Sequence, residues 1–369
     1  MRQQKNIHQS PISMKEYINY LPFHNLFSQE DEATCKLLEE KETSLSLVKI
    51  AKSIDFESYR SEIEKVVEKQ TANTRTKNSS RGRPAVDPVL MLKITFLGAL
   101  YRLSDEKLHE NILDRATFRK FLNLGALCCP SPKTIWKYRE LFTKEELFSK
   151  LFKSWTELKL TDFIGDEGKI IDSSFVEAPK QRNTREENQT IKEGNGDKLW
   201  EDQPHKKTHK DIDARWTKKR NETHYGYKAH VCVDSKSKVI TNLTTTSASV
   251  HDSQVVIELL DKKYKGQKLY LDAGYVGKEQ EKKIIEYGML PFVCEKGYRG
   301  HPLTPEQKES NRQKSKTRCR IEHVFGFIEK SMTGSFIRCV GLARASAYQW
   351  LTAWCYNACR FIQLQQKLT

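Results

Sequence analysis

The chain has 369 residues, with 63 Lys and Arg against 48 Asp and Glu and a formal net charge of +15. Its length predicts two or three domains, and its charge favours a polyanionic partner, most commonly nucleic acid, although charge alone is also compatible with a basic surface kept for solubility. The longest apolar stretch, residues 88–101, contains Lys93 and is shorter than the roughly 18–20 residues that a bilayer helix requires, which excludes a membrane-spanning protein.

The N-terminus and the cysteines predict where in the cell the protein is located. The first ten residues, MRQQKNIHQS, lack an apolar segment, so we expect no secretory signal. Nine cysteines are scattered without CxxC spacing, which predicts reduced thiols rather than a zinc knuckle. The sequence therefore predicts a cytoplasmic protein.

Residues 1–70 are mostly helical in pattern, and a basic segment at 71–87 without apolar periodicity follows them. This segment is rich in Ser, Thr and Asn, which predicts a linker or an extended arm. Arg81 and Arg83 are candidates for insertion into a narrow A·T-rich minor groove, as flexible basic arms do. The alternative is an ordinary solvated linker.

From residue 88 to about residue 160 the pattern predicts one helix after another. Residues 89–103 are apolar nearly all round, which predicts a buried central helix. Ser104 is a candidate N-cap for the next helix, and residues 116–125 predict a helix that stops at Gly125. Short helices joined by tight turns indicate a compact helical domain, with the helix-turn-helix type among the candidates.

Strand-like patterns begin after Lys169 and alternate with helical ones, which predicts an α/β region. A polar, highly charged segment at 179–223 interrupts this region after its first strand. The predicted strands are residues 168–178, two within 224–248, 268–275 and 289–293, and the predicted helices are residues 252–264, 278–288, 319–332 and 346–366.

Three acidic residues interrupt apolar runs in this region: Asp172 and Asp272 on strands, and Glu322 on a helix. A buried charge needs a salt bridge, hydrogen bonds or a cation, and a structural salt bridge is the ordinary explanation for any one of them. Two strand acids and one helix acid can also converge at a sheet edge, where three oxygen donors suit Mg²⁺ or Mn²⁺ and phosphoryl transfer. His251 and Asp252 are interpreted as a helix cap, with a supporting role beside the acids as the alternative.

Several motifs occur together and in order: IIDSSFVEAP (170–179), TTTSASVHDS (244–253), LYLDAGYVGKE (269–279) and RCRIEHVFGFIEK (318–330). With residues 81–108 before them, they make the chain resemble bacterial insertion-sequence transposases of the DDE type, in the IS-five branch of the IS-four/IS-five-like superfamily. The resemblance extends from about Arg81 to the C-terminus.

The resemblance implies an α/β fold with a ribonuclease H-like catalytic domain, a mixed sheet with flanking helices, preceded by an all-α N-terminal domain. It implies that Asp172, Asp272 and Glu322 are catalytic and bind Mg²⁺ or Mn²⁺, with two ions expected. The implied partners are double-stranded DNA, at terminal inverted repeats and at the target, and further copies of the chain in a homodimer or larger assembly at the bacterial nucleoid. The expected division is a helical segment at 1–70, a basic arm at 71–87, a helical end-binding domain at 88–160 and a catalytic domain at 166–369 with an insertion at 179–223.

The chain departs from the related signature around the third acid, which is Tyr, two residues, Arg, three residues, Glu, six residues and Lys. Arg318 and Glu322 match it, whereas Ser315 and Glu329 stand in the positions of the Tyr and the Lys. Lys330 lies one residue later and is a candidate substitute for a contact with DNA phosphate. The departure leaves reduced activity open.

Two basic segments near the acids are candidates for DNA contact, with a solvated surface as the alternative. Clustered cations gain from counterion release, and an exposed aromatic ring can stack on a base. Besides Arg81, Arg83 and Lys330, the candidates are Arg215, Trp216, Lys218, Lys219, Arg220, Arg312, Lys314, Lys316 and Arg318.

The sequence thus predicts a DNA transposase that binds terminal inverted repeats, cleaves element ends and joins 3′-hydroxyls to target DNA. Two alternatives stay open: a Mg²⁺-dependent nuclease without strand transfer, and a co-opted or degenerate copy that only binds DNA.

Overall fold

The computed structural model describes residues 46–74, 85–125, 128–219, 221–332, 334 and 336–367. Arg81, Arg83 and Arg220 therefore lie outside the described residues, as does the segment 1–45. Within the described part, only helices precede residue 169: α1 (Ser46–Ser53), α2 (Arg60–Thr74), α3 (Pro88–Leu100), α4 (Asp105–Asp114), α5 (Ala116–Leu122), α6 (Pro132–Lys144) and α7 (Leu147–Leu160).

Helix α3 is the predicted buried helix. Asp87 caps it by accepting a hydrogen bond from the Val89 amide, and Pro88 occupies the first helical position, where no amide is needed. Every residue of α3 except Lys93 is buried. The prediction of a central buried helix is therefore confirmed.

The ends of α4 and α5 follow from local chemistry. The Ser104 side chain accepts a hydrogen bond from the Lys107 amide and caps α4, as predicted. The prediction that the next helix stops at Gly125 was wrong, because α5 ends at Leu122 and Asn123 adopts the left-handed conformation with φ of 55°. Asparagine tolerates this conformation better than most residues, so it can end a helix where a glycine is expected.

A six-stranded mixed sheet forms the second part of the fold. Strand β3 pairs antiparallel with β1, β2 and β4, whereas β5 runs parallel to both β1 and β6. The predicted strands are confirmed, except that the one predicted at 268–275 ends at Leu271 and is followed by a 3₁₀ turn over Ala273–Tyr275. The bounds are β1 (Lys169–Glu177), β2 (Arg215–Lys219), β3 (Glu222–Asp234), β4 (Ile240–Ser247), β5 (Lys268–Leu271) and β6 (Leu290–Val293).

Helices connect and cover these strands. The predicted helix at 252–264 is broken into a 3₁₀ turn, a short helix and a second 3₁₀ turn. The predicted helix at 319–332 changes from a 3₁₀ turn to an α-helix and then to a π-helical turn. The bounds are α8 (Arg185–Lys192), α9 (Pro204–His209), α10 (Val256–Leu259), α11 (Lys278–Glu286), α12 (Pro305–Arg318), α13 (Glu322–Gly326) and α14 (Leu342–Gln365).

The insertion after β1 has its own local structure. It contains α8, α9 and strand β2, and its end is fixed by the buried Asp211. The Asp211 carboxylate accepts hydrogen bonds from the Tyr227 hydroxyl and from the amides of Ala214 and Gly341. These bonds join the insertion to β3 and to the start of α14.

Helix α14 joins the helices to the sheet. Trp354 is fully buried, with its ring centre 5.4 Å from that of Phe96 on α3. On the opposite side, the Asn357 amide group donates to the Ile240 carbonyl at 2.8 Å and accepts from the Ile240 amide at 3.0 Å on β4. One hydrophobic cluster therefore contains residues of both parts.

Candidate active site

Two of the three acids lie on neighbouring parallel strands. Asp172 is the fourth residue of β1, and Asp272 directly follows β5. Lys169 pairs with Leu269 and Ile170 with Tyr270, and continuing this register by two residues places Asp172 beside Asp272. The sheet therefore brings the two strand acids to one place.

Strand β5 ends just before Asp272 because the Asp272 side chain caps the turn that follows. The carboxylate accepts a hydrogen bond from the Gly274 amide at 2.8 Å and starts a 3₁₀ turn over Ala273–Tyr275. A Cβ atom at Gly274 would stand 3.0 Å from the Asp272 Oδ1 atom, so this close approach favours glycine. The turn holds Asp272 at the strand end with its carboxylate half-exposed.

Glu322 reaches the same place from the helices. Ile321 and Val324 are fully buried and anchor the start of α13. Arg318, at the end of α12, donates to the Asp172 Oδ2 atom at 3.0 Å, and its other terminal nitrogen lies 3.5 Å from the Glu322 Oε1 atom. The guanidinium therefore stands between a strand acid and the helix acid.

Burial and like charge dominate the electrostatics of Asp172. Burial raises the pKa of Asp172 to about 6, and the charge of Asp272 adds to this effect. The Ser173 amide, which donates to the Asp172 Oδ1 atom at 2.8 Å, and the charges of Arg318 and Lys219 lower the same pKa. The positive groups present compensate only part of the cost of this negative charge.

The donor set suits a hard divalent cation, since all three side chains offer carboxylate oxygens. In the part of the chain that the structure describes, no three Asp, Glu, His or Cys side chains stand close enough to share an ion. Arg318 fills the space between Asp172 and Glu322, and the Glu322 side chain is 65% exposed and is held by this one long ion pair. The three side chains therefore suit a cation in donor chemistry, and a cation bound by both Asp172 and Glu322 would take the position of the Arg318 guanidinium.

A buried polar layer lies on the other face of β1, and sequence reasoning assigned no role to most of it. Lys228 and His230 on β3 stand opposite Phe175 and Ser173, and both side chains are buried although they are ionisable. The Lys228 ammonium pairs with the Asp252 carboxylate at 2.9 Å. The sequence signal that could have revealed this layer was the presence of two ionisable residues, Lys228 and His230, within the otherwise apolar run YGYKAHVCV. The predicted cap is confirmed, since the His251 side chain accepts from the Ser253 amide.

Strand β2 displays part of the predicted basic surface. Trp216 is 50% exposed, and its ring lies against Tyr225 with ring centres 4.9 Å apart. Lys218 and Lys219 are exposed, and Lys219 is near enough to Asp172 for its charge to lower the pKa of that carboxyl. The Arg215 guanidinium instead donates to the carbonyls of Ile191, Ile212 and Ala214 and anchors the insertion.

Helix α12 carries the second basic segment. Arg312 and Lys316 are exposed, and Arg312 has a long intrahelical partner, Glu309 at 3.6 Å. The Lys314 ammonium donates to the Val293 carbonyl at 2.9 Å and ties the helix to β6. The predicted cations thus divide into exposed ones and ones used inside the protein.

Of the two residues that depart from the signature, Ser315 lies on α12, whereas Glu329 lies in a π-helical turn, Phe327–Ser331. The Glu329 carboxylate accepts from the Ser174 hydroxyl at 3.4 Å, two residues after Asp172 on β1. Lys330 is exposed. A π-helical turn accommodates one residue more than an α-helical turn, and such turns are frequent at functional sites.

Comparison with known proteins places the chain in a family. The family described as Transposase DDE domain matches residues 164–358, which is more than half of the chain. A second family, Transposase domain (DUF772), matches residues 35–141. The chain belongs to the DDE transposase family, whose members normally use divalent metal ions, and transposition is the activity that this membership supports.

A solved structure is also similar to the chain. It is described as a cryo-EM structure of a piggyBac transposase synaptic complex with hairpin DNA, with 10% identity and a TM-score of 0.45. The match covers 84% of this chain and 73% of that chain. Among the described residues, no helix has both the length and the apolar character needed to span a membrane.

Proposed function

We propose that the protein is the transposase of a bacterial insertion sequence in the IS-five branch. It binds the terminal inverted repeats, cleaves the element ends and joins the 3′-hydroxyls to target DNA. The observation that carries this proposal is that Arg318 bridges Asp172 and Glu322 while the strand register places Asp272 beside Asp172, in a chain whose residues 164–358 match the Transposase DDE domain.

We propose a ribonuclease H-like fold for the catalytic domain. The strand order β4-β3-β1-β5-β6 supports it, with three antiparallel strands followed by two strands parallel to β1. The domain bounds of this proposal are 166–369 for catalysis, with the insertion 179–223, and 88–160 for an all-α domain that binds element ends. The segments 1–70 and 71–87 precede them as a helical segment and a basic arm.

Asp172, Asp272 and Glu322 are the residues that would hold Mg²⁺ or Mn²⁺. Two bound ions supply Lewis-acid activation of the attacking water or 3′-hydroxyl and stabilise the leaving oxygen. The Ser173 amide orients the Asp172 carboxylate, and the capped turn at Gly274 orients that of Asp272. With a cation held by these acids, the Arg318 guanidinium would be available to bind a DNA phosphate.

DNA would follow the exposed cations on either side of these acids. On β2 the proposed contacts are Trp216, Lys218 and Lys219, and on α12 they are Arg312 and Lys316. Arg81, Arg83, Arg220 and Lys330 stay predictions of the same kind. Arg215 and Lys314 are engaged inside the protein, so we assign them the support of these two surfaces.

Joining two element ends in one reaction requires two active sites. We therefore propose a homodimer or larger assembly on DNA, in the cytoplasm at the nucleoid.

End cleavage and joining test this function. Purified protein is incubated with Mg²⁺, labelled inverted-repeat ends and target DNA, and the expected products are cut ends and joined strands. Cutting without joining would favour the nuclease, and binding without cutting would favour the copy that only binds DNA.

A matched pair of variants tests the assignment of the acids. Asp272→Ala is expected to abolish cutting. Asp261→Ala is the control, because Asp261 also caps a 3₁₀ turn, accepting from the Lys263 amide at 3.0 Å, but lies away from the acids. Equal cutting by Asp272→Ala and wild type would refute the assignment.

A further inference from the structure

The buried polar layer beneath β1 is built around one ion pair. The Lys228 ammonium donates to the Asp252 Oδ1 atom at 2.9 Å and to the Val250 carbonyl at 2.7 Å. The Lys228 side chain is 11% exposed and that of Asp252 20%. The fully buried His230 closes the layer, with its Nδ1 atom 3.8 Å from Asp252 and its Nε2 atom 2.8 Å from the Thr246 hydroxyl.

The layer keeps its acid ionised and its imidazole neutral. Although burial acts against it, Lys228 lowers the pKa of Asp252 below its ordinary value. Burial lowers the pKa of His230 to about 4, a direction that the neighbouring Lys228 reinforces and Asp252 opposes. Lys228 and Asp252 are therefore the charged members of the layer at neutral pH.

Ser173 links this layer to the proposed active site. It pairs in register with His230, whose Nδ1 atom lies 3.8 Å from the Asp252 carboxylate, and its amide donates to the Asp172 Oδ1 atom at 2.8 Å. Tyr275, three residues after Asp272, is buried in the same place, and after burial the charges of Asp172, Asp252 and Asp272 all raise its pKa. The ion pair thus lies directly behind both strand acids.

We propose that Asp252, fixed by Lys228, is a positioning residue that supports β1 at Ser173 and thereby sets the orientation of the Asp172 carboxylate toward its cation. The proposal rests on the proposed function, since it concerns the same three acids. Groups behind a metal ligand orient it, and their removal typically costs about 10–100-fold in metal affinity or activity.

A second buried ion pair, between β1 and β3, provides the contrast. Lys169 on β1 and Asp234 on β3 are joined at 2.9 Å and are 0% and 1% exposed. The Asp234 carboxylate also accepts from the Ser237 amide and hydroxyl, so this pair closes the turn after β3. If the Lys228–Asp252 pair only stabilised the sheet, its substitution would have the same effects as substitution of the Lys169–Asp234 pair.

The experiment compares Asp252→Asn, Lys228→Met and Lys228→Arg with wild type and with the control Asp234→Asn. Mn²⁺ binding to the DNA-free protein is followed by electron paramagnetic resonance. Single-turnover end cleavage is measured against Mn²⁺ concentration, and all assays run below the thermal midpoint of each variant.

Asp252→Asn and Lys228→Met are expected to raise the half-saturating Mn²⁺ concentration by about 10–100-fold. Lys228→Arg should recover most of this loss, because it restores the cation beside Asp252. Asp234→Asn should lower the thermal midpoint and leave Mn²⁺ binding as in wild type.

Wild-type Mn²⁺ binding in Asp252→Asn, with only the thermal midpoint lowered, would overturn the proposal, as would equal losses in Lys228→Arg and Lys228→Met. If Asp234→Asn does not fold, the comparison of Lys228→Arg with Lys228→Met still tests the positioning role. Wild-type protein that binds Mn²⁺ but cuts no ends would refute the proposed function, while the shift in Mn²⁺ binding would still test the positioning role.

Discussion

Two charged residues of strand β1, Lys169 and Asp172, lie three positions apart, and the fold compensates their charges differently. Lys169 is fully buried, pairs with Asp234 at 2.9 Å and donates to the Gly165 carbonyl at 3.1 Å. Asp172 is 15% exposed, and its partner Arg318 is shared with the exposed Glu322. The first charge is closed off as part of the sheet, whereas the second is left only partly compensated, as a site that receives a cation requires.

Breaking the buried Lys169–Asp234 pair should have the largest effect on stability. Lys169→Met leaves Asp234 buried without its cation, and breaking a buried pair in this way costs about 3–5 kcal/mol in the free energy of unfolding. Urea unfolding followed by circular dichroism measures this loss. End cleavage should persist below the unfolding transition, and a variant that is as stable as wild type would show that the two charges on β1 do not differ as described.

Substitution of Asp172 should have the largest effect on activity. Asp172→Asn is expected to lower end cleavage by more than about 100-fold, since even the groups behind a metal ligand are worth about 10–100-fold. The assay is single-turnover cleavage with Mg²⁺. Cleavage within about tenfold of wild type would remove Asp172 from the proposed ligands.

The same substitution should raise stability at neutral pH. Burial raises the pKa of Asp172 to about 6, above the ordinary 3.8, so the folded state holds this proton more tightly than the unfolded state. The stability that protonation contributes is fully present below about pH 4 and is lost as the pH rises through about 6. Asp172→Asn should therefore be more stable than wild type by about 3 kcal/mol above pH 6, with the difference disappearing below pH 4. Denaturant titrations across this range measure the difference, and a wild type that is more stable at pH 7 would contradict it.

The smallest effect concerns DNA affinity at the two ends of the sheet. Lys219 is exposed near Asp172, and Lys236 is exposed in the turn beside the closed pair. Lys219→Ala should reduce the slope of log affinity against log salt by about one, because one phosphate contact is lost. Lys236→Ala should leave this slope unchanged, and equal slopes for the two variants would mean that DNA does not distinguish the two ends.

The sequence predicted best those elements whose residues face an apolar interior. Helix α3 was recognisable because it is apolar on all sides, and the strands from β1 to β6 other than β2 were recognisable from their period. Strand β2 was missed, since as a short polar strand it buries none of its five residues. Helix α12 was missed for a similar reason, because it buries no residue. The sequence feature that could have predicted it is the capping box at Thr304, followed by Pro305.

The candidate site was predictable in composition but not in its supporting contacts. The resemblance assigned Asp172, Asp272 and Glu322, and the spacing of four residues placed Arg318 one turn before Glu322. Nothing local in the sequence joins Lys228 to Asp252, because their contact is made between β3 and the turn after β4. Pairings of this kind depend on the register of the sheet, which a sequence pattern does not specify.

Local cleavage of the protein by bound iron tests most directly whether the three acids form one metal site. Fe²⁺ replaces Mg²⁺, ascorbate and peroxide generate hydroxyl radicals at the bound ion, and mass spectrometry maps the broken peptide bonds. We expect breaks near Asp172, Asp272 and Glu322 together, suppressed by excess Mg²⁺ and absent in Asp272→Ala. Breaks confined to other parts of the chain, or an unchanged pattern in Asp272→Ala, would contradict a shared site.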